Sequence, residues 1–391
     1  MRSKFEPQRL HFAYARYQRL NVAGLDQISG TFSINSQGDG TVRQGLRASD
    51  TIVTDRTLVN SFGYAGQGAK HWSRGPLLTF GGDLYNEHIA ASRLNGTQPA
   101  RPLYPDNSRY STFGTYAQSV QELFSQRLRA VAGARYTRAS FRTRASSAFG
   151  VPETGQEFHD VTMNGSLTWR AARWLDLHAV GGRGFRAPNL NDLGAVGLND
   201  LGYEIPASET RGALMGNSAG EAALPNGRKV ESLRAESLWN AEAGFAVRAR
   251  RVYARVNVFQ ADLMDPIVRR TMLYPINAIP ASLAGLAVHA NEPTVAQRTA
   301  GVTTVATTFD SRGVKAFVNE GRSRYAGLES LLRFEPAQLW RVEAGYSFIG
   351  GRDMDPNRNV RRLPPQNGFA ARRAAATTLR RSSTALASRL S

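Results

Sequence analysis

The chain has 391 residues, no cysteine and a formal net charge of +18, with a sequence pI ≈ 10.8. That length admits one large β-barrel or two to three ordinary domains. No run of about 18 apolar residues occurs, which argues against membrane-spanning helices but not against a barrel, whose strands carry apolar residues at alternate positions only. Of the 49 basic residues only Lys4, Lys70, Lys229 and Lys315 are lysine. The arginines are dispersed, and no basic helix or recognition motif accompanies them, so the charge does not point to nucleic acid.

The N-terminal stretch MRSKFEPQRLHFAYARYQRL contains no apolar run of the signal-peptide kind. Residues Gln8–Tyr17 alternate, with Leu10, Phe12 and Tyr14 on one face. Thr51–Tyr64 and Trp72–His88 follow as weaker strands around the short link GQGAK. Arg109–Val120 and Arg127–Phe141 come next, then Val161–Trp169 and Trp174–Phe185. In Val161–Trp169 the set Val161, Met163, Leu167 and Trp169 opposes Thr162, Asn164, Ser166 and Thr168.

The segment Ser237–Arg270 is the clearest of all. Trp239, Ala241, Ala243, Phe245 and Val247 alternate with Asn240, Glu242, Gly244, Ala246 and Arg248; after a tight ARR link, Val252, Ala254, Val256 and Val258 alternate with Tyr253, Arg255, Asn257 and Phe259. Successive side chains of a strand point to opposite faces, so one face is apolar and the other mostly polar. The strands exceed the five or six residues usual in soluble proteins and reach the about 9–11 needed to cross a bilayer at a tilt. Ser323–Phe334 and Leu339–Ile349 close the series; in the last, Trp340, Val342, Ala344, Tyr346 and Phe348 oppose Arg341, Glu343, Gly345 and Ser347. No segment has a clear helical period.

The links alternate in length. GQGAK, Gln121–Gln126, Ala171–Arg173, Ala249–Arg251 and Glu335–Gln338 are short; Ile89–Ser108, Arg142–Asp160, Ala187–Ala235 and Thr271–Arg322 are long. Short turns at one rim and long loops at the other are the habit of an up-and-down outer-membrane barrel. Trp72, Trp169, Trp174 and Trp340 lie beside short links and Trp239 follows a long one, as interfacial aromatic girdles require. The fold expected is an all-β, antiparallel, up-and-down transmembrane barrel of about a dozen strands, over residues 1–365. Residues 366–391, with no acidic residue, are expected to form a basic Ala/Arg/Ser tail, disordered or non-native, outside the wall.

GGRGFRAPNLNDL at Gly181–Leu193 ends a strand and opens a long loop. It resembles the Gly-Phe-Arg-Ala-Pro signature of TonB-dependent outer-membrane receptors. Leu233-Arg234-Ala235-Glu236 and Asn240-Ala241-Glu242-Ala243-Gly244 are similar to the phrases that start that family's next strand, with Ala235 in place of a proline and Ser232 in place of an asparagine. Phe259–Ile267, Asn319-Glu320-Gly321 with Gly327-Leu328-Glu329, Tyr346-Ser347-Phe348 and Leu363-Pro364-Pro365 follow in family order. The resemblance spans about Ser108–Pro365. It implies a 22-stranded barrel filled by a plug domain. It implies uptake of a scarce ligand, a ferric siderophore or a cobalamin-type complex, from the bacterial outer membrane. It further implies contact with outer-membrane lipid and, through the plug, with the TonB protein. No TonB box, plug or terminal aromatic strand is recognisable, so the chain reads as an internal piece of such a receptor.

For ligand contact the resemblance offers Arg186, Asn189, Asn191 and Asp192, against a bland reading in which they close a strand and pair within the wall. Glu242 and Glu329 read as inward partners of arginines. No histidine lies between Phe185 and Glu236, which weighs against haem. The histidines show no metal-ligand spacing, and no nucleophile elbow, phosphate loop or carboxylate pair stands out, so no catalytic residue, metal or cofactor is expected. The competing readings are an outer-membrane barrel enzyme, which needs a serine, a histidine and an acid on one rim, and a secreted β-rich binding module.

Overall fold

The computed structural model describes residues 2–73, 75–199, 201–210, 212–337 and 340–355, and the backbone of 358–359 and 367–375. Its frame is a 15-stranded antiparallel sheet in which neighbours in sequence are neighbours in space. The long strands are β1 (Arg2–Val22), β2 (Leu25–Gln44), β3 (Val53–His71), β4 (Leu77–Asn95), β5 (Ser108–Leu123) and β6 (Leu128–Thr143). They continue as β7 (Thr154–Ala172), β8 (Leu175–Arg186), β9 (Glu236–Arg248), β10 (Val252–Met264), β11 (Arg322–Ala337) and β12 (Trp340–Asp353). At 12 to 21 residues they outrun what a bilayer needs, so each projects beyond the apolar band.

The register separates two faces. Phe245 pairs with Leu177 and with Val256, and Trp169 with Leu177, so these share one face. Gly244 pairs with His178 and with Asn257, and Asn257 with Glu329, which puts those on the other. On β12 the alternation falls as the sequence implies: Val342 pairs with Phe334 on the apolar face and Glu343 with Arg333 on the polar one. Trp340, Val342, Tyr346 and Phe348 stay 40–42% exposed, so the apolar set is not folded into a closed core. Arg333 donates from Nε to Glu343 Oε1 at 2.6 Å and Arg341 from Nε to Glu335 Oε1 at 2.8 Å, pairing the polar face along itself.

The antiparallel meander puts the short links (23–24, 72–76, 124–127, 173–174 and 249–251) at one rim. Residues 96–107, 144–153, 187–235 and 265–321 lie at the other. Ala23 and Gly24 carry positive φ, 52° and 79°, as a two-residue hairpin turn requires.

Several expectations need correction. GQGAK is not a turn: it lies inside β3, and the chain reverses at 72–76. β2 escapes the alternation reading because serine, glycine, asparagine and glutamine take half of its positions; the ladder with β1 runs along nearly its whole length all the same. The tail expected beyond Pro365 gives Asn367–Ala375 to a further strand, β13, which pairs with β12 from Trp340↔Ala375 to Phe348↔Asn367. Its remainder lies outside the described residues. The wall is open: among the described residues β1 pairs with β2 alone, and β13 with β12 alone.

The core sits in the loops. Residues Ile267–Pro275 form the middle of a second, 7-stranded sheet, pairing with Leu214–Gly216, Val302–Thr307 and Lys315–Asn319. Met272, Leu273, Leu283, Val305, Val314 and Ala316 are wholly buried in it. Two five-residue helices, α1 (Leu190–Gly194) and α2 (Val295–Thr299), are held by capping boxes. This cap packs on Phe141, Tyr110 and Phe158. The register puts those three on the face of Thr168 and His178: Phe141 pairs with Tyr110, and Phe158 with Ala139. The long loops thus turn inward and cover the polar face at the loop rim.

Candidate functional site

The four residues named from sequence come together at the root of loop 187–235. Arg186 ends β8 opposite Glu236, the first residue of β9. Its guanidinium donates from Nε to Glu236 Oε2 at 2.7 Å and from Nη1 to Asp192 Oδ2 at 2.8 Å. Glu236 Oε1 also accepts from the Ile267 amide, tying the start of the cap's central strand to the same point. Asn189 caps α1: its Oδ1 accepts from the Asp192 amide at 3.0 Å, and Asp192 Oδ2 accepts from the Asn189 amide at 3.0 Å. Tyr104 donates to Asn191 Oδ1 at 2.9 Å, and Tyr110 to the Pro188 carbonyl at 3.0 Å. Pro188 thus fixes the chain where a wall tyrosine can hold it. Burial pushes the Asp192 carboxyl up, while the Asn189 amide and the Arg186 charge pull it down. The network satisfies its own groups; Arg186 and Asn189 alone among the four remain exposed.

Sequence reasoning missed the groups around this root. Glu204 is 1% exposed; it is ion-paired with Arg269 and accepts from Asn199, and its carboxyl is pushed up by burial against those partners. Arg269 lies 4.8 Å above the Phe317 ring. Lys315, 3% exposed, donates from Nζ to Glu221 Oε1 at 2.8 Å, while the Gly313 amide donates to Glu221 Oε2 at 2.6 Å. Buried charges of this kind persist only when paired. Arg101 is different. Its Nη2 donates to the Ala284 carbonyl at 2.6 Å and the guanidinium lies 5.9 Å from the Tyr203 ring. Its Nε and Nη1, and the Tyr203 hydroxyl, are buried without a hydrogen-bond partner among the described residues. Burial lowers the Arg101 guanidinium and pushes the Tyr203 phenol up to about 12. No sequence pattern marks these residues, since contacts between separate loops bring them together, 94 positions apart for Lys315 and Glu221 and 183 for Arg101 and Ala284.

Beside Arg101 the loop residues Pro102, Leu103, Tyr104 and Leu198 face Asp39, Thr41, Arg43 and Asp55 across a cavity of about 300 Å³. Asp39, Thr41 and Asp55 lie on the polar face, in register with the cap-facing side of β4. Asp55 is held by Arg93 at 3.1 Å, and Arg93 also donates to the Leu198 carbonyl at 3.1 Å. The cavity therefore has wall on one side, loop on the other, and both signs of charge. It lies at the lower end of the size range of small-molecule sites. Among the described residues no group of three or more His, Cys, Asp or Glu is placed to hold a metal ion.

The family model described as TonB dependent receptor-like, beta-barrel, matches residues 4–379. Among solved structures, the copper transporter OprC superposes with a TM-score of 0.62 at 13% identity, over 95% of this chain and 50% of that one. The FrpB iron transporter of Neisseria meningitidis does so at 0.54 and 12%, over 88% and 45%. BauA, the ferric preacinetobactin receptor of Acinetobacter baumannii, does so at 0.52 and 11%, over 92% and 48%. At these identities the likeness is one of fold, and the chain spans about half the length of the structures it matches. No curated protein matches it in sequence. With the family model covering nearly the whole chain and the same wall in its solved neighbours, the protein belongs to the TonB-dependent receptor β-barrel family of the bacterial outer membrane.

Proposed function

We propose that this chain supplies the ligand-receiving mouth of a TonB-dependent transporter, and that the ligand is a small metal chelate. The observation that carries the reading is the inward cap: two long loops share one hydrophobic core on the polar face of the wall and leave a charged cavity between loop and strand. A loop used only to shield the rim has no need of a core, whereas a loop that must present fixed polar groups to a solute does. In this reading Arg186, Asn189, Asn191 and Asp192 set the position of the loop, and the exposed Arg186 and Asn189 are the two of the four that meet ligand. Arg101 and Tyr203 supply donors that an anionic chelate would satisfy. Solved neighbours described as a copper transporter, an iron transporter and a ferric preacinetobactin receptor support a metal chelate as the class. TonB is the partner of the whole receptor in this reading.

The test is direct binding. Purified protein in detergent is titrated with ferric catecholate, ferric hydroxamate, cupric ion and cobalamin, with tryptophan fluorescence as readout. One class is expected to bind, and Arg101→Gln and Arg186→Gln are each expected to weaken it by about tenfold, the worth of one charge-assisted contact. Binding of none of the four probes, or binding indifferent to both substitutions, contradicts the reading.

A further inference from the structure

The first strand is inverted relative to its neighbours. In β2 the outward, apolar face carries Phe32 and Ile34, which pair with Tyr64 and Phe62 of β3. In β1 the large side chains sit on the other face: Leu10 pairs with Gln37, Phe12 with Asn35 and Tyr14 with Ser33. Ser33 pairs in turn with Gly63, and Gly63 with Tyr85, which continues the inward face across β3 and β4. Ala13 and Ala15, the outward residues beside them, pair with Ile34 and Phe32. A slip of one residue would send each of these side chains to the opposite face. The two-residue turn at 23–24, with Val22 opposite Leu25, pins the register against it.

The result is an apolar stripe on the face that lipid does not reach. Leu10, Phe12 and Tyr14 are 61–66% exposed, and none belongs to the core of the cap. The Phe12 and Tyr14 ring centroids lie 5.8 Å apart with the planes tilted by 33°, a favourable aromatic pairing. The stripe is one residue wide, because Gln37, Asn35 and Ser33 flank it. Its upper end is the cavity between wall and loop. An extra residue between Phe5 and Gln8 keeps both on the inward face, opposite Thr41 and Asp39, and both line that cavity. From Gln8 to Tyr14 the strand covers about 20 Å at ~3.3 Å per residue. Arg16, opposite Thr31, follows on the same face.

We propose that Leu10, Phe12 and Tyr14 form an aryl subsite continuing the charged cavity, and that the ligand is a metal chelate carrying aromatic rings, of the catecholate or phenolate kind. The inference rests on the reading of the cavity as a chelate site and narrows the class of chelate. Contiguous apolar surface left exposed on a polar face marks a binding site. Its shape selects the occupant. A second copy of the chain needs about 800 Å² per partner, spread over about 20–30 residues a side; a single file of three side chains between polar rows does not provide it. A flat ring fits that width and stacks on Phe12 and Tyr14, offset or edge to face. The cavity takes the charge of the chelate, with Arg43 in its lining, and the stripe that begins at Phe5 and Gln8 takes its rings. A chelate with aliphatic arms covers the same area without the ring pairing.

The experiment uses the full chain in neutral maltoside micelles, with binding of a ferric tris-catecholate and of an aliphatic ferric trihydroxamate measured by equilibrium dialysis of radioiron. Four proteins are compared: wild type; Phe12→Leu/Tyr14→Leu, which keeps the apolar surface and removes both rings; the outward control Phe62→Leu/Tyr64→Leu; and Arg101→Gln at the cavity. Wild type is expected to bind the catecholate about tenfold more tightly than the hydroxamate, the inward pair to lose that preference, and the outward pair to keep it. Circular dichroism of each protein verifies the sheet, and native mass spectrometry gives its oligomeric state. Equal affinity of wild type for the two chelates, with both still weakened by Arg101→Gln, overturns the aryl subsite and leaves the cavity reading standing. Binding of cupric ion or cobalamin in place of either chelate does the same, and binding of none of the four overturns both. A preference that survives in the inward pair, equal loss in the inward and outward pairs, or a wild-type dimer that the inward pair dissolves also overturns the proposal.

Discussion

The wall and the cap are built from the same antiparallel pairing and held by different physics. In the wall both faces are open: Phe62, Tyr64, Leu167, Trp169 and Val258 are 51–58% exposed on one side, and ion pairs such as Arg333–Glu343 run along the other. Its stability in place comes from complete backbone ladders, which lipid makes obligatory, and from the lipid that covers the apolar side. The cap has short strands and a buried interior, with Met272, Leu273, Val305 and Ala316 at 0% exposure. It obeys the rules of a small soluble domain. Residues conventionally called loops therefore hold the only soluble-type core among the described residues, and the strands that define the family hold none.

Breaking each region separately sharpens that contrast. Phe141, 1% exposed, stands on the wall and inserts into the cap. Phe141→Ala is expected to cost about 3–5 kcal/mol of cap stability while leaving the wall assembled. Limited proteolysis should then cut within 187–235 and 265–321 at rates far above wild type, with unchanged heat-modifiable migration. Val256→Arg attacks the wall alone. If Val256 lies near the bilayer midplane it should cost about 2–4 kcal/mol, read by urea unfolding in vesicles, with the cap still resistant to protease. A smaller effect joins the two regions. Asp192→Ala removes the acceptor for the Asn189 amide and one of the two partners of Arg186, and should loosen the loop root by about 1–3 kcal/mol, seen as faster amide exchange over 188–196. The smallest is a pH effect in the cap. Arg312 donates to both oxygens of Asp310, which holds that carboxyl below its usual range. A lowered value means the stabilisation is present above the ordinary aspartate range near pH ~4 and disappears as pH falls through the lowered value. With the Arg312 side chain 39% exposed and open to solvent screening, it should be below about 1 kcal/mol, and visible as faster exchange at 307–314 on acidification.

The wall was legible in sequence where burial on one side forced alternation. Ser237–Phe259 and Trp340–Phe348 showed their faces because lipid demands Val, Phe and Trp at every second place, and the structure puts those residues where the period predicts. The order of short and long links was legible for the same reason, since strand ends show up as breaks in the pattern. β2 was not, because its inward face is written in Ser, Thr, Asn and Gln, and its outward face, with Phe32 and Ile34, is interrupted by Gly30, Gly38 and Gly40. GQGAK looked like a turn by composition, yet two glycines within a paired strand cost little when neighbours on both sides complete the ladder. The cap strands were invisible because two to nine residues are too few for a period to declare itself. At the loop root, Arg186, Asn189, Asn191 and Asp192 were found through a motif, whereas Glu204, Arg269 and Arg101 meet only through tertiary contacts.

The face carrying Val256 and Val258 meets lipid, while Asn257 faces the side the cap covers. The chain has no cysteine, so single cysteines can be placed at 256, 257 and 258 without removing any other. Each is labelled with a nitroxide in lipid vesicles, and collision rates are compared for oxygen, which concentrates in the bilayer, and for a water-soluble nickel chelate. High oxygen and low nickel accessibility are expected at 256 and 258, with the reverse at 257. Equal accessibility at all three positions, or a lipid signature at 257, would contradict it.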